Sequence, residues 1–157
     1  MPATPTTARV IAPPPVLYLG TIVLGLCVDR FVWRMSVNIP DMPRVILGGF
    51  FVAAGVVLLL AAVASFARAG TGVRHAAGSS ALVTSGPHAF TRNPMYLAMA
   101  LAYAGIALLA DSLISLALLA PLLWVIQFGV IAREERFMEA KFGEAYRAYR
   151  KRVRPWI

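Results

Sequence analysis

The sequence predicts an all-α polytopic membrane helix bundle of about four transmembrane helices, with an amphipathic cytoplasmic helix at its C-terminal end. Three observations predict it. Of 157 residues, 59% are hydrophobic and only 14% charged, against roughly half apolar and a quarter charged in an average soluble domain. The apolar residues come in long uncharged runs bounded by arginine-bearing segments, which is the layout of membrane spans. Eight of the fifteen basic residues fall between Arg133 and Ile157, directly after the last apolar run, where cations fix topology or meet anionic lipid. That placement accounts for the formal charge of +8 without nucleic acid, so no nucleic-acid partner is expected.

The chain reads as a disordered lead over 1–15, rich in Pro, Thr and Ala, followed by a single membrane domain over 16–157. The lead lacks a convincing cleavage site and is expected to run into a retained helix rather than to be removed as a signal peptide. The first span is expected over 16–33, with Asp29 and Arg30 near the interface and Arg30 snorkelling outward. Cys27 lies in this run, can form no internal disulfide, and is expected to pack rather than react. The second span, 45–67, contains no charge and has the roughly 20 residues a bilayer core requires. Gly48, Gly49 and Gly55 permit a close helix approach there. The third and fourth spans, 95–110 and 112–132, are separated by Asp111 alone and must form a tight antiparallel hairpin. Pro121, inside the fourth, removes a backbone donor and is expected to kink that helix unless neighbours restore the bonding. A C-terminal helix is expected over 133–151.

Four spans put both termini on one side. The basic tail assigns that side to the cytoplasm of a bacterial or archaeal inner membrane, together with the segment carrying Arg68, Arg74 and Arg92. The first connection, with Arg30, Arg34 and Arg44 against Asp29 and Asp41, is more positive than an outer loop ordinarily is.

Two constellations can carry chemistry. In the first, Asn93-Pro94 reads as a helix N-cap followed by the first helical residue, with Arg92 beside it. A helix N-terminus with an arginine holds an anion such as an amino-acid carboxylate, although an anchoring arginine next to a plain cap has the same pattern. In the second, an unbroken helix over 133–151 would place Glu135, Met138, Phe142, Tyr146 and Tyr149 in one stripe. A surface amphipathic helix explains the aromatics, but a carboxylate among them needs a partner, for which a ligand ammonium is suited. The hairpin brings the two constellations to one membrane face, where they would suit a zwitterionic amino-acid ligand bearing a soft cation. Gly70-Thr71-Gly72 is a weaker signal, more often a turn than a ligand approach.

The run from Leu82 to Tyr96, LVTSGPHAFTRNPMY, the hairpin, and EERFMEAKFGEAYRAYRKRV together resemble the isoprenylcysteine carboxyl methyltransferases and the membrane phospholipid N-methyltransferases, over about Gly70 to Val153. The resemblance implies a methyltransferase that uses S-adenosylmethionine and releases S-adenosylhomocysteine, with no metal. It implies a cofactor pocket at the cytoplasmic ends of the last helices, lined by Leu82, Val83, Gly86 and His88. Arg92, Asn93, Pro94 and Tyr96 would form the floor, and Glu134 or Glu135 would meet the methionine ammonium. Asn93 stands where the carboxyl methyltransferases commonly have histidine, and His88 where an aromatic is usual. The chain also has fewer spans than the eukaryotic members.

The expected reaction is an in-line displacement, with Arg92, Glu135 and Tyr146 as the catalytic candidates. The acceptor, a prenylcysteine-type carboxylate or a phospholipid amine on a membrane lipid or lipidated substrate, would enter laterally from the bilayer. An amine or thiol would have to lose a proton, to Glu135, Tyr146 or His88. The alternatives are methylation of a small thiol, or a non-catalytic membrane scaffold.

Overall fold

The computed structural model describes residues 11–70 and 82–157. Six α-helices follow in order: α1 (Pro14–Phe31), α2 (Asp41–Arg68), α3 (Pro94–Leu109), α4 (Leu113–Val125), α5 (Ala132–Phe142) and α6 (Glu144–Arg152). A short 3₁₀ turn, Gly86–Ala89, precedes α3, and a π-helical stretch, Ile126–Ile131, joins α4 to α5 without a break. Among the described residues there is no strand, only an isolated parallel pairing of Thr91 with Arg154.

Among the described residues, three rods are long and apolar enough to cross a bilayer: Pro14–Phe31, Asp41–Arg68 and the continuous Leu113–Phe142. The fourth expected span, α3, has only 16 residues, about 24 Å at 1.5 Å per residue. It can be short because protein rather than lipid surrounds it: α2 packs along one side, α4 and α1 lie on the other, and half of its residues are buried. The outward faces of the long rods carry Leu19, Leu24, Ile46, Phe50, Val57, Leu60, Trp124 and Phe128 exposed. Such a belt suits acyl chains and would aggregate in water. This is an integral membrane protein.

Small residues set the α2–α3 spacing. A Cβ on Gly55 would stand 2.7 Å from the Ala98 carbonyl oxygen, and one on Gly105 would stand 2.6 Å from that of Gly48. Gly49, also expected to allow close approach, faces open space. On the other side of α3, Tyr18 donates to the Tyr96 carbonyl and Tyr103 to that of Ser115, so buried phenols stitch α1, α3 and α4. The core gathers these tyrosines with Ile22, Leu122, Ile126, Val130 and Ile131.

The α3–α4 hairpin is as tight as expected. Asp111 adopts φ +53°, and Ser112 caps α4 by accepting from the Ser115 N–H. The Asp111 carboxylate accepts from Ser36 and from the Val37 N–H, pinning the α1–α2 connection onto the hairpin. Arg44 donates to the Leu108 and Leu109 carbonyls at the C-terminal end of α3 and pairs with Asp41. This accounts for part of the positive charge in that connection: Arg44 terminates a helix, where a cation meets unpaired carbonyls. Asp29, expected at the interface, is buried and accepts from the Met35 N–H.

Three expectations are corrected, and the one left open at Pro121 is answered. Helix α1 begins at Pro14, two residues early, because Pro14 and Pro15 occupy the first turn where no N–H is required; the rest of the expected disordered lead, 1–10, lies outside the described residues. Cys27 is exposed, because it lies off the buried stripe of Tyr18, Ile22, Gly25 and Asp29. α4 continues through Pro121, and the helical pattern changes only at Ile126–Ile131. The single helix expected over 133–151 is two, broken at Gly143, whose φ of +53° is a glycine conformation.

Candidate active site

At the end of the bundle away from Asp111, three pieces converge: the turn before α3, the first turn of α5, and α6 with the tail that follows it. Asn93 occupies the N-cap position of α3 as expected, its carbonyl accepting from Tyr96 and Leu97. Its side chain does not cap; it donates to the Pro155 carbonyl, which also accepts from Thr91. The N-terminal end of α3 is thereby fastened to the tail.

Arg92 is the centre of the arrangement. Its backbone N–H donates to the Arg154 carbonyl, and Nη1 donates to the carbonyls of Arg150 and Val153, each 3.0 Å. Nη2 lies 2.6 Å from Oε1 of Glu135 in a buried ion pair, the side chains 9% and 14% exposed. The pair is close without being aligned as a hydrogen bond. Arg92 Nε and Glu135 Oε1 are buried atoms with no hydrogen-bond partner, an uncommon condition in a folded protein. Arg150 approaches the other Glu135 oxygen at 3.9 Å.

Glu134, one residue earlier, turns to a different neighbour: the Tyr96 hydroxyl donates to both its oxygens at 2.8 Å. Pro94, the first residue of α3, is buried. The adjacent glutamates therefore face separate partners, Arg92 for one and Tyr96 for the other.

Tyr146 and Tyr149 are buried on α6 with rings edge to face at 6.2 Å, packed with Val153, Leu82, Met138 and Phe142. The expected aromatic stripe thus survives the break at Gly143, because the turn folds α6 back onto α5. Burial pushes the Tyr149 phenol up to about 12, and its hydroxyl donates to the His88 carbonyl. Burial, reinforced by the nearby Glu135 carboxylate, pushes the Tyr146 phenol upward as well.

His88 and Gly86 face α2. The His88 ring sits edge to face with Phe66 at 5.0 Å, its Nδ1 3.2 Å from the Ser65 hydroxyl, and burial lowers its pKa to about 4. Gly86, at φ +62°, passes Ser65 and Arg68 at the end of α2. Val83 is buried and Leu82 half-buried against the tyrosines. Gly70 has φ +65°, while Thr71 and Gly72 lie outside the described residues, as does Arg74.

Residues 43–145 match the family model described as phospholipid methyltransferase, well over half of the chain. The chain belongs to the phospholipid methyltransferase family. Methyltransferase activity is what this membership implies. The match takes in Arg92, Tyr96, Glu134 and Glu135, and it stops just before Tyr146. An uncharacterised protein of Haemophilus influenzae is 42% identical over 64 residues, 40% of this chain and the whole of that protein. No solved structure matches the chain.

Two features of the site had no signal in the sequence. The π-helical stretch just before α5 shifts the facing of every residue after it, and such stretches are frequent at functional sites. The return of the tail, with Trp156 donating to Gln127 inside that stretch, is the other.

Proposed function

We propose that this protein transfers a methyl group from S-adenosylmethionine to a lipophilic acceptor entering from the bilayer, a prenylcysteine-type carboxylate or a phospholipid amine, at a cytoplasmic site. One observation carries the reading: in the buried Arg92–Glu135 pair Arg92 Nε has no hydrogen-bond partner, and Glu135 Oε1, held by charge 2.6 Å from Nη2, accepts no aligned hydrogen bond. The α-amino acid end of the cofactor has a carboxylate and an ammonium, the complement of those two atoms, so the residues present fit it. Arg92 would hold the carboxylate, and Glu135 the ammonium. When bound, the cofactor supplies a methyl group made electrophilic by a positively charged sulfur. Tyr146 and Tyr149 offer aromatic faces beside the pair, the surroundings a soft cation favours.

Glu135 would be taken by the cofactor's ammonium, and the His88 ring is engaged by Ser65 and Phe66. Glu134, held by Tyr96, is then the carboxylate positioned to accept a proton from an amine or thiol. A carboxylate acceptor would need no such base. The buried end of the bundle excludes water, which serves alignment and protects the reacting centre.

The test is incubation of purified protein with methyl-labelled cofactor and native lipid extract, followed by fractionation. Label in phospholipid head groups or as base-labile ester supports the reading. Label only in a volatile product would indicate a small thiol and reject the lipophilic acceptor. No transfer to any fraction by folded protein would reject the reading altogether.

A further inference from the structure

The chain has seven acidic residues, all within the described part, and each is already engaged. Asp29 accepts from a backbone N–H, Asp41 and Asp111 meet Arg44, and Glu134 meets Tyr96. Glu135 pairs with Arg92, and Glu139 and Glu144 meet Arg147 and Arg150. Lys151, Arg152 and Arg154 are exposed, and no carboxylate lies within ion-pair distance of any of them. Among the described residues, these three neighbouring cations have no acidic side chain as counter-ion.

Their location is fixed by the tail. Arg154 pairs with Thr91, next to Phe90, whose side chain is 81% exposed. Two residues on, Trp156 hydrogen-bonds Gln127 and packs against the apolar core, so the tail returns to the edge of the hydrocarbon region. The cations therefore stand at head-group level, with an exposed aromatic ring beside them. A ring at that level inserts among head groups, and cations there attract lipid phosphates.

We propose that Lys151, Arg152, Arg154 and Phe90 form a docking surface for the anionic phospholipids of the membrane that the protein occupies. The occupant is chosen by charge complementarity, because no acidic side chain pairs with these cations. Arg92 donates to the carbonyls of Arg150, Val153 and Arg154, so lipid bound here also steadies the segment that closes over the Arg92–Glu135 pair. The inference does not depend on the methyltransferase reading.

The experiment uses the full chain in mild detergent with equal amounts of phosphatidylglycerol and phosphatidylcholine, retained lipid being counted by native mass spectrometry. The unaltered protein is expected to retain phosphatidylglycerol preferentially. Substituting Lys151→Gln, Arg152→Gln and Arg154→Gln together should bring the ratio toward that of the mixture, by roughly fivefold for each charge removed. Phe90→Ser should lower total retention while keeping the preference. Arg30→Gln with Arg34→Gln, at the far end of α1, should change neither quantity. Equal retention of the two lipids by the unaltered protein would overturn the proposal. So would a preference that survives the triple substitution, or one that the Arg30 and Arg34 changes abolish.

Discussion

Arg92 joins two tasks in one guanidinium, holding the tail by its carbonyls and holding Glu135 by charge. Removing one member of a buried pair leaves the other charge uncompensated, a cost of about 3 kcal/mol or more. Glu135→Gln should accordingly lower the denaturant midpoint of the detergent-solubilised protein, whereas Glu139→Gln, on a half-exposed network, should shift it by less than about 1 kcal/mol. Equal effects would mean that the Arg92–Glu135 pair is not buried as described. His88 gives a pH-dependent expectation. Its pKa is lowered from 6.5 to about 4 because burial disfavours the charged ring. Below 6.5 the unfolded chain binds a proton that the folded chain refuses, so stability falls with pH until about 4, by up to about 3 kcal/mol. Thermal unfolding at pH 7.5, 5.5 and 4 should show this decline, and His88→Asn should flatten it. Arg92, Glu135 and Tyr146 could be singled out in the sequence by residue type next to predicted spans. That Arg92 and Glu135 pair with each other, and that Tyr96 selects Glu134, could not, because only the folded α3–α5 register decides which neighbour each glutamate meets.

At the scale of elements, the α2–α3 interface is set by backbone approach. Gly55→Val or Gly105→Val would drive a side chain into a carbonyl that cannot move aside, and each should destabilise the protein by about 2 kcal/mol or more. Gly49→Ala meets open space and should be neutral or stabilising by up to about 1 kcal/mol, since alanine is the better helix former. Unfolding midpoints of the three variants separate these outcomes. The helices themselves were readable from run length, and the hairpin from the single residue Asp111 between two apolar runs. At Pro121 both outcomes were open, and α4 runs through it, a proline's local cost being answered by the surrounding bundle. The stretch Ile126–Ile131 was invisible for a related reason: a π turn in an apolar helix has no composition of its own. Gly143 marked a true break, since φ +53° is a conformation that other residues resist.

For the whole molecule, the two ends of the bundle divide the work. The Asp111 end is closed by hydrogen bonds from the α1–α2 connection and by Arg44 on the end of α3. The opposite end is closed by α6 and the tail, through hydrogen bonds from Arg92, Asn93 and Thr91, from Tyr149 to the His88 carbonyl and from Trp156 to Gln127. Membrane character was legible because lipid imposes it on composition everywhere. The closure was not, because it depends on a tail of few apolar residues whose path is set by single hydrogen bonds. On the proposed function, the buried Arg92–Glu135 pair holds the amino-acid end of the cofactor. Calorimetric titration of the detergent-purified protein with S-adenosylhomocysteine tests it most directly. Losing one charge-assisted hydrogen bond, about 1.5 to 3 kcal/mol, should weaken binding roughly 10- to 100-fold in folded Arg92→Ala and Glu135→Ala. Arg30→Gln, at the other end of the bundle, should bind as the unaltered protein does. No binding by the intact folded protein, or undiminished binding by both alanine variants, would contradict the account.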